Sequence, residues 1–444
     1  GWTDLIFARF GDSILALINN QDGTFRDATS ELGLTSFGDI AAIAAGDLDN
    51  DGDPDLILGP TDGPRYFLLI NQGNGSFSEE AVSRGADLTV SANNHHARSI
   101  SLVDYDRDGY LDLYLPNEGV PQNSAEDARQ SALLRNKGVT GPATFENVTT
   151  AAGLLQPAVG DIHLGFSSAW ADFDGDGWPD FAKVSDFGTS QLYWNNGNGT
   201  FTEDTKQGGL GIDDFGMGNA VADVNGDGRL DVFVTSIYDR GSLGEGEQGG
   251  LGNGNRLYRY FGNRRFGENA ASAGLEQAGW AWGASFFEYD NDGDPDLVVT
   301  NGWVSNLDDV RSGLTLSEAA DDPTKLFVNN GTGFFADETR DSGIADFALG
   351  RAIIVFDYDQ DGDEDIVITN NSGSPVFYRS NASTNGNGWL RLKFIGTDSN
   401  RDAFGADVRV TTGDKTQLLH FNPTNAFMGQ RESVLHVGLG TSVG

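Results

Sequence analysis

The chain has 444 residues, no cysteine, 61 glycines and a formal net charge of −38. That length exceeds one ordinary core and points to several domains or one large repeat array. The lack of cysteine excludes a disulfide framework and thiolate metal sites, the acidity excludes nucleic-acid binding by phosphate neutralisation, and no run of 18 apolar residues offers a membrane-spanning helix.

The opening phrase GWTDLIF lacks an initiator Met, and no signal-peptide pattern is visible, which points to a processed or trimmed chain. The phrase aligns with GWPDFAK at residues 177–183, so the chain begins inside a repeat, with Asp4 at its last acidic position. Strands are expected at residues 4–9, 13–19 and 24–28. The full phrase first comes as DLDNDGDPDLIL from Asp47. It returns as DYDRDGYLDLYL from Asp104, DFDGDGWPDFAK from Asp172, DVNGDGRLDVFV from Asp223, EYDNDGDPDLVV from Glu288 and DYDQDGDEDIVI from Asp357. The copies stand roughly 50–70 residues apart, an internal repeat longer than a WD40 blade.

A second phrase follows each copy: LINNQDGTF at residues 17–25, LINQGNGSF at 69–77, LYWNNGNGTF at 192–201 and LFVNNGTGFF at 326–335. An Asn/Gly turn between apolar runs is the strongest short-range hairpin signal. Then comes an AGL-like element, as at residues 152–154 and 273–275, and an apolar run such as 352–356 that leads into the next acidic phrase. Each unit therefore reads as four short strands: A before the acidic phrase, B after it, C and D in the hairpin. Seven such units predict an all-β fold, a seven-bladed β-propeller. The alternative, a linear β-solenoid, has shorter and more uniform turns.

The acidic phrase follows D-x-[DN]-x-D-G-x-x-D. A curled loop brings positions 1, 3 and 5 to one point, and Gly at position 6 permits the sharp turn. Oxygen ligands alone favour a hard cation. Position 7 offers a backbone carbonyl, and position 9 a further acid. In order, positions 1, 3, 5, 7 and 9 are Asp47, Asp49, Asp51, Asp53 and Asp55 in the first full copy, and Asp104, Asp106, Asp108, Tyr110 and Asp112 in the second. They are Asp172, Asp174, Asp176, Trp178 and Asp180 in the third, and Asp223, Asn225, Asp227, Arg229 and Asp231 in the fourth. The fifth has Glu288, Asp290, Asp292, Asp294 and Asp296, and the sixth Asp357, Asp359, Asp361, Asp363 and Asp365. An EF-hand is excluded, because position 12 is Leu58, Leu115, Lys183, Val234, Val299 or Ile368 instead of a bidentate Glu. The expected cofactor is Ca²⁺, which offsets the repulsion within each loop.

These phrases and their hairpins resemble the FG-GAP/VCBS repeats of integrin-α-type propellers over residues 1–386. The stretch NGWLRLKFIGTDSNRDAFGADVRVTTG at residues 387–413, with GQRESVLHVGLG at 429–440, resembles an ASPIC/UnbV domain, spanning 387–444 and incomplete relative to the family pattern. Together they resemble the cartilage acidic protein family and its bacterial relatives. The resemblance implies a secreted or cell-surface protein.

In a four-stranded blade the A–B and C–D turns share one face, and the B–C loops and D–A links the other. The acidic loops therefore occupy a structural face. Long insertions at residues 116–131, 239–255 and 305–325 crowd the opposite one, the usual place for binding. That face is expected to carry His95, His96, His163, Trp280, Trp282 and Trp303, with Arg98 and Arg351 at the starts of A strands. The expected function is an extracellular adhesion, matrix or assembly scaffold, self-assembling into filaments or binding a protein or polysaccharide partner. The alternative is a carbohydrate-active, lyase-like enzyme, with histidine as base and arginine neutralising a uronate. The first unit lacks an A strand, and two donors can fill the gap: a neighbouring molecule, or the chain's own residues 406–411 or 433–437.

Overall fold

The computed structural model describes residues 2–9, 14–61, 63–89, 97–117, 131–154, 165–238, 253–302, 322–344, 346–371 and 373–441. Seven antiparallel sheets follow one another along the chain, each built of strands in sequence order. Blade 1 has Leu5–Phe7, Leu15–Asn19 and Phe25–Asp27 as its B, C and D strands. Blade 2 adds the A strand, running Ile40–Gly46, Asp55–Pro60, Phe67–Asn71 and Phe77–Glu79. Blades 3 to 6 repeat this pattern, with A strands at Ser101–Val103, Gly165–Ala171, Asn219–Ala222 and Ala281–Phe287. Blade 7 has Gly350–Phe356, Asp365–Asn370 and Val376–Tyr378.

Inner strands are covered on both faces, so they read as unbroken apolar runs instead of alternating ones. All six residues of Asp180–Ser185 are buried. Successive blades share a core. Ile14 and Ala16 of blade 1 meet Ile40 and Leu58 of blade 2, and Tyr114 of blade 3 meets Trp170 of blade 4. In blade 4, Trp170, Phe181 and Tyr193 stack with centroids 4.2 and 4.8 Å apart. The seventh such core joins Leu5 and Phe7 of blade 1 to Phe356 and Val367 of blade 7. The array therefore closes into a ring, and the solenoid is ruled out: the fold is a seven-bladed β-propeller. The AGL-like element is a single helical turn after strand D, as at Ala81–Arg84 and Ala270–Ala273, ended by a left-handed glycine.

The C-terminal residues form two ribbons, Gly388–Leu392 with Leu435–Gly440 and Ala406–Thr412 with Lys415–Phe421. Neither ribbon pairs with Leu5–Phe7, so the expected strap by residues 406–411 or 433–437 is not formed. Those strands find partners within their own segment, and blade 1 is held by its core with blade 7.

The link between the ribbons instead fills the channel. Each A strand leaves one edge facing the axis, where backbone groups need partners. Gln430 caps Ala45, accepting from its N–H at 2.6 Å and donating to its carbonyl at 2.9 Å. Asn425 does the same at Trp170, at 2.9 and 2.7 Å. The Thr424 hydroxyl accepts from Leu102 N–H at 3.0 Å. All three capped residues lie two positions before the first acid of their loops.

Candidate metal centres

Each acidic loop is a fixed turn before any ion is considered. The position 6 glycines have φ of 103, 90, 91, 79, 86 and 88° at Gly52, Gly109, Gly177, Gly228, Gly293 and Gly362. At Gly362 an added Cβ would also fall 1.8 Å from Trp389 Cε2. Position 4 is left-handed as well, at Asn50, Arg107, Gly175, Gly226, Asn291 and Gln360. The position 1 acid accepts the position 6 N–H in every loop, for example Gly52 to Asp47 at 2.8 Å and Gly293 to Glu288 at 3.0 Å. The position 5 acid accepts the position 7 N–H, as from Tyr110 to Asp108 at 3.0 Å.

Position 9 ties the loop to strand C. Asp112 accepts from Asn136 N–H at 2.7 Å and from Tyr105 N–H at 3.1 Å. The same bond to strand C recurs at Asp55, Asp180, Asp231, Asp296 and Asp365. It recurs at Asp4 too, from Asn19 N–H at 2.8 Å, so the partial first copy keeps the repeat geometry.

Position 3 differs. The buried oxygens Asp49 Oδ1, Asp106 Oδ1, Asn225 Oδ1 and Asp359 Oδ1 have no hydrogen-bond partner, nor do Asp104 Oδ1, Asp180 Oδ2 and Asp231 Oδ2. Oxygens of Asp47, Asp49 and Asp51 lie within 4.8 Å of one another, as do those of Asp104, Asp106 and Asp108, and of Asp357, Asp359 and Asp361. In blade 4 the convergent set is Asp172, Asp174 and Asp180. Asp176 is turned toward Arg264, 3.3 Å away. Among the described residues no such carboxylate triple forms in blades 5 and 6. Blade 5 has Asn225 at position 3. Blade 6 has the longer Glu288, over which the backbone of Gly438 is laid. The donor set is all oxygen and the spacing suits ligands of one ion at 2.3–2.6 Å, so these buried Asp clusters can bind a hard divalent cation.

Charge agrees with that fit. Burial pushes Asp47 and Asp357 up to about 6, Asp104 and Asp55 to about 7 and Asp180 to about 8, and neighbouring carboxylates add to the rise. Asp112, Glu288 and Asp296 are also raised well above the usual range by burial. An ion between the oxygens would favour the charged forms.

The loop face is not bare. Arg401 lies 3.4 Å from Asp47, Arg391 3.4 Å from Asp357 and Lys415 2.6 Å from Asp294. Asp402 accepts the Asp47 N–H at 2.7 Å. His436 Nε2 lies 2.6 Å from Asn291 Oδ1, and burial lowers the pKa of that imidazole. The C-terminal segment thus sits directly on the loops of blades 2, 6 and 7. Beside the blade 4 loop it leaves a cavity of about 210 Å³ lined by Trp170, Asp172, Asp407 and His420.

A second staple joins blades, and sequence reasoning missed it. The Asn closing strand C donates to the position 2 carbonyl of the preceding blade's loop. Asn136 reaches Leu48 at 2.8 Å, Asn195 reaches Tyr105 at 2.9 Å and Asn329 reaches Val224 at 2.9 Å. The signal was the Asn repeated in LINN, LIN, YWNN and FVNN, but the turn alone seemed to account for it.

On the opposite face, His95, His96, His163 and Trp303 lie outside the described residues, as do most of the three insertions. Trp280, Trp282 and Arg351 are half-buried at the channel mouth. Trp282 is not a free platform: its Nε1 donates to Gly302 O at 2.8 Å and its ring packs against Phe427. Among the described residues no helix is long and apolar enough to cross a membrane.

Comparison with known proteins agrees with the repeat geometry. The FG-GAP-like repeat family matches residues 1–58 and 172–234, and the ASPIC and UnbV family matches 396–444. Cartilage acidic protein 1 of Xenopus tropicalis is 26% identical over 234 residues, covering 50% of this chain and 33% of that protein. The Homo sapiens protein of the same name is 23% identical over 256 residues, covering 56% of this chain and 36% of that one. The chain thus spans about a third of the length of the curated relatives it matches. A solved Agrocybe aegerita lectin aligns with 86% of this chain and 91% of its own, at 17% identity and a TM-score of 0.45. The chain belongs to the FG-GAP-repeat propellers that carry an ASPIC and UnbV segment, and it is similar to cartilage acidic protein 1.

Proposed function

We propose that the protein is a secreted, calcium-binding scaffold of the extracellular matrix or cell surface, whose ions lock the propeller and its C-terminal segment into one rigid body. The observation that carries this reading is the set of orphaned, buried position 3 oxygens facing the acids of the same loop. Ca²⁺ would be held by positions 1, 3 and 5, with position 9 in blade 4. It would supply charge neutralisation, not chemistry. Similarity to cartilage acidic protein 1 supports the extracellular setting. Adhesion or self-assembly is the role that fits a rigid body of this kind.

The ion belongs to stability. One site at 100 times its Kd adds about 2.7 kcal/mol, and six independent sites would add at most about 16 kcal/mol. Calcium titration should show several sites, and excess chelator should lower Tm steeply and expose the chain to proteases. An unchanged melting curve in chelator would sink the calcium reading. Recovery of the native protein from the cell interior alone would sink the extracellular one. Sedimentation in calcium and in chelator tests assembly, and a monomer in both would remove it.

A further inference from the structure

One register of the repeat does work that the acidic loops do not explain. Six positions before the first acid stand Ala41, Arg98, Phe166, Met217, Trp282 and Arg351, one from each of blades 2 to 7. They lie at the start of the A strands, the end of the channel away from the acidic loops. In blades 2, 4, 6 and 7 the A–B ladder shifts register at this point: between Ile40 and Ala42, Gly165 and Ser167, Ala281 and Ala284, and Gly350 and Ile353. Such irregularities re-aim a side chain out of the ladder.

The re-aimed residues meet over the tip of the channel plug. Phe427 is buried, with Phe166 6.1 Å away on one side and Trp282 6.0 Å away on the other. The Arg98 guanidinium sits 5.9 Å from the Phe166 ring centroid, and that of Arg351 4.1 Å from the Trp282 ring. Two cations thus flank one aromatic row, in a chain of net charge −38. Arg351 Nη1 donates to the carbonyls of Gly302 and Gly350 at 3.1 and 2.8 Å, and no carboxylate pairs with it among the described residues. Burial and the charge of Arg98 pull its pKa down to about 10. An anion there would relieve that repulsion.

We propose that this channel mouth binds an acidic pyranose, a sugar unit bearing a carboxylate, as part of an extracellular polysaccharide. The planar fork of Arg351 suits a carboxylate, with Arg98 adding charge from across the row. The Trp282 face suits the C–H face of a pyranose, and its hydrogen bond to Gly302 holds the indole in place, so little ordering is needed on binding. The site gives the scaffold a ligand, yet it uses none of the acidic loops and stands at the opposite end of the channel.

The test is calorimetric titration of the whole chain in calcium with tetragalacturonate, its methyl ester and an acidic tetrapeptide. Saturable binding of the free acid is expected, with at least about 10-fold loss for the ester and for R351Q, R98Q and W282L, as for a lost charge-assisted hydrogen bond or stacking face. R351K keeps the charge but loses the fork and should fall between. The calcium-dependent melt of each variant reports folding. Where R351Q alters that melt, R351K and R98Q carry the test. Failure of the free acid to bind, equal binding of the ester, equal binding by folded variants, or preference for the peptide would each overturn the proposal. Such a failure with an intact calcium-dependent melt would leave the scaffold reading standing.

Discussion

The side-chain amide of Asn19, in blade 1, donates to the carbonyl of Tyr358, in blade 7, at 3.0 Å. The two residues are 339 positions apart. Their relationship is the one that Asn136 has with Leu48 between blades 3 and 2, so the junction that closes the ring is built like its neighbours. Asn71 is the contrast: its amide donates to Pro54 O of its own blade at 3.1 Å, exposed to solvent. Asn136→Ala leaves Leu48 O and Leu111 O without their donor in a fully buried place. It should cost roughly 2–3 kcal/mol, against under about 1 kcal/mol for Asn71→Ala. Denaturant melts in calcium compare the two, and equal losses would refute the staple.

Positions 3 and 9 should separate ion binding from folding. Asp106 Oδ1 has no protein partner, so Asp106→Asn should lower the Tm gain from calcium and leave the melt in chelator nearly unchanged. Asp112 accepts two backbone N–H groups. Asp112→Asn sets an amide group against one of them and should destabilise by about 1–3 kcal/mol with or without calcium. Melts of both variants in calcium and in chelator decide the matter. Identical behaviour would mean that the loop does not divide these roles.

Stability of the metal-free protein should fall as pH rises. The folded-state pKa values are raised, to about 6 for Asp47, about 7 for Asp55 and Asp104 and about 8 for Asp180. Between the unfolded carboxylate value near ~4 and these values, the folded chain holds more protons than the unfolded one. The associated stability is fully present below the unfolded value and is lost as pH climbs through about 6 to 8. In chelator, Tm should therefore drop from pH 5 to pH 8. In saturating calcium the slope should flatten or reverse, because ions and protons compete for the same oxygens. A chelator Tm that rises over this range would contradict it.

The ring, its seven blades and the acidic loops were legible because their determinants are local. A turn with Gly at position 6 and acids at 1, 3, 5 and 9 is written within nine residues. The Asn staple was not legible, because Asn136 and Leu48 are 88 residues apart and the Asn also serves its own turn. Residues 422–432 were opaque for another reason. NPTNAFMGQRE has no strand or helix period, and its side chains answer to three A strands far away in sequence. The strap expectation failed because residues 406–411 carry a local hairpin partner at Lys415–Phe421.

The channel caps give a local test. Asn425→Ala removes both bonds to Trp170, and Gln430→Ala both bonds to Ala45. Hydrogen exchange at the Trp170 amide should speed up about 10-fold or more in the first variant and at the Ala45 amide in the second, for a loss of roughly 1–2 kcal/mol of local protection. Protection unchanged at both amides would show that the caps do not seal these edges.

Those caps also set an order of events. Ala45 and Gln430 are 385 residues apart, and Leu102 and Thr424 322 apart. Synthesis delivers the blades first, so a growing chain can assemble a ring while its inner edges still lack partners. Contacts of such separation form slowly. The nascent ring must therefore wait with an open, edge-lined bore until its last segment is made, and during that interval any extended peptide nearby competes for the same backbone groups.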